Sequence, residues 1–265
     1  MLALATPTST SSSDLLSGIE LRPRDAHATL HALETAGHRL RAVGAPRAAF
    51  PDVYAVITRN VVTACREGRF GEPAWVFRLA GRFGELYLAA LAPSVRGAQA
   101  PSGAWRAAFA ARRGPSLPTL EAFLGINAHI NVDLAQGIAA NIADLGGASD
   151  PARMARYRRD HDAVNEILRE SMPEILARLA VVHGCQLARL ARIDPRVQRA
   201  VSVAVLALLA DWRDRVWDDM MVLLTAPTPT AAAAQIARMD LRATLGARAL
   251  TAVLTRPEPA VPERH

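Results

Sequence analysis

From Asp25 onward, apolar residues recur at i, i+3, i+4 and i+7 in stretch after stretch, and alanine and leucine fill most of those positions. That spacing places them on one side of a helix, whereas the period-two alternation of β-branched residues that a sheet face needs is scarce. The pattern dictates an all-α protein. Helices are expected over 25–43, 51–68, 73–90, 104–112, 118–145, 151–171, 173–192, 195–224 and 230–254, a bundle of about seven to nine. Several starts are written locally: Pro51 and Pro73 suit a first turn, and Asp150-Pro151 and Asp194-Pro195 each supply a capping oxygen followed by proline at the first helical position. Gly146-Gly147 offers a left-handed stop for the 118–145 helix. No internal repeat or strong linker divides the chain, so one helical domain over 15–255 is expected. The segments 1–14 and 256–265 have the composition of tails too poor in apolar residues to repay their ordering.

Composition excludes several chemistries. All 31 basic residues are arginine, so Schiff-base catalysis, pyridoxal phosphate anchoring and the P-loop lysine are ruled out together. Neither a Gly-rich dinucleotide turn, a G-x-S-x-G elbow nor a C-x-x-C motif occurs, and no cofactor is expected. The net charge of +6 and a pI of 10.5 invite a nucleic-acid reading. The arginines, however, occur singly or in pairs such as Arg112-Arg113 and Arg158-Arg159, interleaved with carboxylates, as on a solvated helical face. No specific nucleic acid is expected. The longest apolar stretch, 201–210, is far short of a bilayer span and is followed by Asp211. Two cysteines, Cys65 and Cys185, are too few for a disulfide framework, and the N-terminus lacks a basic region of the signal-peptide kind. These features lead to the expectation of a cytoplasmic protein without a membrane segment, with a homodimer left open.

The most informative stretch is Gly125-Ile126-Asn127-Ala128-His129-Ile130-Asn131-Val132-Asp133-Leu134. On a helix, Phe123, Ile126, Ile130, Leu134 and Ile138 define an apolar side; Asn127 and Asn131 fall inside that arc, and His129 and Asp133 lie at its edge. Each buried amide or imidazole must find partners or lose about 1–3 kcal/mol. His129 is therefore a candidate general acid/base, with Asp133 orienting the imidazole and Asn127 and Asn131 binding a substrate carbonyl or hydroxyl. The same residues also suit a network that only ties helices together, or a metal site. His161 and His183 sit on apolar stripes of their own helices and would complete a metal set with His129 and Asp133, although H-E-x-x-H is absent. Asp211, Asp214 and Asp218 share a face but lack the D-D-x-x-D pattern of magnesium-binding terpene synthases; interleaved Arg213 and Arg215 make this a solvated ion-pair face. Trp212 and Trp217 read as core or pocket wall.

Taken with Glu72-Pro73-Ala74-Trp75, the Ala104-Trp105-Arg106-Ala107-Ala108-Phe109 segment and Asp160-x-x-x-Val164-Asn165-x-Ile167-Leu168, the ten-residue stretch resembles the signature of a bacterial all-helical family of unknown function. The match runs from about Pro51 to Trp217, and it departs from the family at His161, a position usually aromatic there. The resemblance implies that Asn127, His129, Asn131 and Asp133 are signature residues, and it implies no activity. The alanine and arginine richness is that of a high-GC genome, where such helical proteins often accompany secondary-metabolite pathways. The expectation is a cofactor-independent enzyme, a cyclase, isomerase or hydrolase acting on a small apolar metabolite. His129, Asp133 and His161 would be catalytic, Asn127, Asn131 and Asn165 would bind substrate polar groups, and Tyr87, Trp105 and Trp217 would wall the pocket with Trp75. A metal-dependent hydrolase using His129, Asp133, His161 and His183, and a non-catalytic binding or scaffold protein, are the alternatives.

Overall fold

A computed structural model describes residues 14–45, 47–110 and 117–254. The expected tails, Asp14 apart, and the Arg112-Arg113 pair lie outside those residues. After a short 3-10 turn (Asp14–Leu16), the elements are α1 (Ala26–Ala42), α2 (Ala49–Arg66), α3 (Pro73–Val95), α4 (Gly103–Phe109), α5 (Leu117–Ala128), α6 (Ala135–Leu145), α7 (Pro151–Val181), α8 (Gln186–Ile193), α9 (Pro195–Leu224) and α10 (Pro229–Leu254). The fold is all-α, with no strand among the described residues. A six-residue π segment, His129–Leu134, joins α5 to α6 with helical backbone on both sides, so the two form one rod and the bundle has nine helices among the described residues.

Local chemistry sets the helix starts as the sequence suggests. The Asp25 carboxylate accepts from the N–H groups of His27 and Ala28, Asp150 from Ala152 and Arg153, and Asp194 from Arg196, while Pro151 and Pro195 open the first turns behind them. Gly146, at φ 67°, ends α6 in the left-handed conformation. Two expectations need correction. Helix α2 begins at Ala49, which puts Pro51 third in the helix, where an N–H is still without an intrahelical acceptor. The break expected at Pro173 does not occur, because α7 runs through it to Val181. An interior proline costs a helix about 3 kcal/mol, but Leu168, Met172, Ile175, Leu176 and Leu179 are all buried along one face of α7. Each such side chain gains about 1.5–3 kcal/mol on burial, so packing outweighs the lost hydrogen bond.

Glycines set several of the closest helix approaches. A Cβ on Gly81 of α3 would lie 2.5 Å from the Arg24 and Asp25 backbone, at the start of α1. On α5, a Cβ at Gly125 would collide with the Phe50 ring of α2. Gly125 thus lets the rod seat against α2 just ahead of the π segment. Overpacking of this kind costs typically 1–3 kcal/mol, so Gly125→Ala is expected to lower the unfolding free energy by about 2 kcal/mol in urea titration. An unchanged midpoint would mean that Phe50 yields freely.

Candidate functional site

The π segment lies in the middle of the bundle, against α3, α9 and α10, and all six of its residues are buried. Such segments insert an extra residue into a helix and recur at functional sites. Here the segment carries His129, Asn131 and Asp133 into the interior. His129 Nδ1 lies 2.9 Å from Asp133 Oδ2, and the same oxygen accepts from Trp105 Nε1 at 3.0 Å. A carboxylate only accepts, so Nδ1 carries the proton and Nε2 presents its lone pair. Nε2 is buried and has no hydrogen-bond partner. Phe83 stacks flat on the imidazole with centroids 3.4 Å apart, and Tyr54 meets it edge-on at 4.7 Å. Burial lowers the His129 pKa, against the opposing pull of Asp133, and burial raises that of Asp133.

Helices α2, α3, α5, α7 and α9 enclose an apolar cavity, in which the centre of a water-sized sphere can move through about 160 Å³. His129 and His161 both border it. So do Tyr54 and Trp75, whose Oη and Nε1 are likewise buried without partners. The buried side-chain polar atoms without a partner on residues that line this cavity are therefore His129 Nε2, Tyr54 Oη and Trp75 Nε1, and native interiors rarely leave such atoms unpaired.

Other expected site residues serve different ends. Asn127 donates to the Ala243 carbonyl of α10 at 2.8 Å and accepts from Asn131 at 3.1 Å, so the two amides tie the rod to α10 and do not border the cavity. Asp133, Tyr87 and Trp105 stand away from the cavity wall, beside or behind His129. His161 donates from Nε2 to the Arg213 carbonyl at 3.0 Å, and Arg213 returns a hydrogen bond to the His161 carbonyl, a reciprocal clamp between α7 and α9. Asn165 accepts from Arg213 Nε at 2.8 Å, and Trp217 packs 5.5 Å from the His161 ring; neither borders the cavity.

His183 pairs with the buried Asp52 at 2.7 Å, and Asp52 also holds Arg41. Although burial raises the Asp52 pKa, the hydrogen bonds from His183 and Arg41 leave it below the ordinary carboxylate value. Among the described residues, no three histidine, cysteine, aspartate or glutamate side chains gather as a metal set, and His129, His161 and His183 each have a different partner.

The Asp211–Asp219 face divides. Asp211, Asp214 and Asp218 are exposed, as expected, but Arg213 is buried on the cavity wall. Its spacing from Leu209, Val216 and Met220 is the signal that the sequence offered, since residues three, four and seven apart share one face and place Arg213 on the inner arc of α9. Tyr54 and Phe83 were discernible only as members of apolar stripes.

A buried bundle built around a histidine–carboxylate pair at an apolar cavity is the class that fold and site define. The chain belongs to a family of unknown function, DUF5995, whose model matches residues 26–253. No curated protein and no solved structure matches it. No helix among the described residues is long and apolar enough to cross a membrane.

Two measurements probe this site. Burial, followed by the charge of Arg213, holds His161 well below its ordinary pKa, and His129 is lowered too. The folded state then binds fewer protons than the unfolded chain. Stability is present above the unfolded histidine pKa of about 6.5 and declines below it, by up to about 1.4 kcal/mol per pH unit for each histidine. His161→Gln, which keeps a donor for the Arg213 carbonyl, is expected to flatten the decline between pH 6.5 and 5 in thermal unfolding; an unaltered slope would refute the assignment. Asn127→Ala leaves the buried Asn131 amide without its acceptor and is expected to cost about 1–3 kcal/mol in chemical denaturation.

Proposed function

We propose that the protein is an enzyme that moves a proton on a small apolar molecule held in the interior cavity, a cyclase, isomerase or hydrolase that uses its own side chains. The observation that carries this reading is His129: its Nδ1 is fixed by Asp133 and its Nε2 lone pair has no protein partner beside an apolar cavity. That lone pair lies in the ring plane, whereas Phe83 covers the ring face. In the proposed step, Nε2 takes a proton from substrate carbon or oxygen, and the imidazolium that forms is stabilised by the Asp133 carboxylate. Return of the proton to a different atom completes an isomerisation or ring closure without net consumption of any reagent. Tyr54, with its hydroxyl unpartnered and its pKa raised well above the ordinary value by burial, stays protonated and supplies a hydrogen bond to oxygen that gains charge. Asn127, Asn131, Tyr87 and Trp105 hold the pair in place in this reading, and a biosynthetic setting agrees with the apolar character of the cavity.

The test compares purified wild-type protein with His129→Gln after incubation with an extract of apolar metabolites, followed by mass spectrometry. Compounds consumed by the wild type are expected to persist with the variant, with turnover reduced about 100-fold or more while the circular dichroism spectrum is unchanged. Full turnover by a folded His129→Gln variant would sink the proposal. Because His129 is depressed below the ordinary histidine range, the rate is expected to stay level through neutral pH and to fall only at acid pH, as the base becomes protonated.

A further inference from the structure

One guanidinium at the cavity makes no ion pair. Arg213 is 6% exposed, and its hydrogen bonds go to uncharged oxygens, the Asn165 side-chain carbonyl and the His161 backbone carbonyl. It makes no ion pair among the described residues. The two carboxylates whose fields reach it, Asp162 and Asp214, are both engaged by Arg158. Asp160 also borders the cavity, and its two oxygens accept from the N–H groups of Gly71 at 2.8 Å and Glu72 at 2.7 Å. A guanidinium taken out of water without a carboxylate partner is unfavourable, and its planar fork suits carboxylate or phosphate oxygens. Burial pulls this one down to about 10.

The shape of the cavity supplies the second observation. On α7 the bordering residues run from His161 through Val164, Leu168, Met172 and Ile175 to Leu179. At the helical rise this is a path of about 27 Å. The facing walls are apolar along that path, with Val53 and Ile57 from α2, Ile126 from α5 and Val205 from α9. The free space is thus a narrow slot with a buried cation towards one end and hydrocarbon along the rest.

We propose that this slot binds a single-chain amphiphile, an aliphatic or isoprenoid chain lying along α7 with a carboxylate or phosphate head group paired to Arg213. The inference rests on the cavity being the substrate pocket of the proposed enzyme, and it names the substrate class. In that arrangement His129 and Tyr54 face the chain away from the head group, and the anion fixes which part of the chain meets them.

The experiment is calorimetric titration of the full-length protein with hexadecanoate, hexadecyl phosphate, hexadecanol and octanoate, each below its micelle concentration, and with inorganic phosphate. At least one of the two long-chain anions is expected to bind about tenfold or more tightly than hexadecanol, and octanoate is expected to bind more weakly than hexadecanoate. Whichever anion binds better identifies the head group as carboxylate or phosphate. Inorganic phosphate is expected neither to bind nor to displace the chain; displacement by it would reassign Arg213 to a free anion and overturn the amphiphile. Arg213→Met is expected to abolish the preference for an anion while hexadecanol still binds. Equal affinity of the wild type for hexadecanol and both anions, or no binding of any long chain, overturns the proposal without recourse to a variant. His129→Gln is expected to keep the ligand preference, so failure of this inference and failure of the proton-transfer reading are separately visible.

Discussion

The Asp133 carboxylate is the group on which the interior depends. A carboxylate buried in the middle of a helical bundle is tolerable only if its lone pairs are filled, and it draws on two donors from different parts of the chain: His129 on its own segment and Trp105 on α4. Trp105 can reach it only if the short α4 is itself fixed. That is done by Asp240 of α10, which accepts from the N–H groups of Gly103 and Ala104, and by Ser102, which caps the Trp105 N–H. Helix α10 is in turn tied to the central rod by the Asn127 amide on the Ala243 carbonyl. The polar network closes on itself, and His129 Nε2 is left in it without a partner.

A second polar tie holds the opposite side. The reciprocal hydrogen bonds between His161 and Arg213 join α7 to α9, and Asp160 reaches back to the backbone just ahead of α3. Between these two ties the helix faces are apolar, and the cavity lies where they fail to meet. The many exposed arginine–carboxylate pairs, such as Arg69 with Glu170 or Arg59 with Glu34, contribute little by comparison, since solvent-exposed pairs are typically worth less than about 1 kcal/mol. The buried cluster of Asp52 with His183 and Arg41 differs in kind: it links α2 to the end of α7 and to α1, which accounts for an inward histidine without any metal chemistry.

Local rules were legible wherever the partner is a sequence neighbour. The Asp-Pro starts, the Gly146 stop and the apolar stripes depend on interactions within a few residues, and they stand where the sequence placed them. The pairing of His129 with Asp133 was likewise legible, because four residues along a helix bring side chains together. Continuation of α7 through Pro173 was not, since it depends on what the face of α7 packs against. The π segment was not legible either. Its extra residue is favoured by the burial of the whole stretch from His129 to Leu134, which no local propensity encodes.

The sequence by itself determined that the chain is helical, where most helices begin, and that one segment carries amides, an imidazole and a carboxylate into an apolar face. Helical propensity, capping and periodicity act over a turn or two of chain, and the residues that set them are adjacent in the sequence. Only the tertiary structure decided which polar groups stay open. Asn127 is consumed by α10, Asn131 by Asn127, His183 by Asp52 and Asn165 by Arg213, while His129 Nε2 is left without a partner on a residue that borders the cavity and Arg213 is left there without an ion pair. These outcomes turn on the register of one helix against another, and a shift of a single residue rotates a side chain by about 100° around its helix and changes its partner.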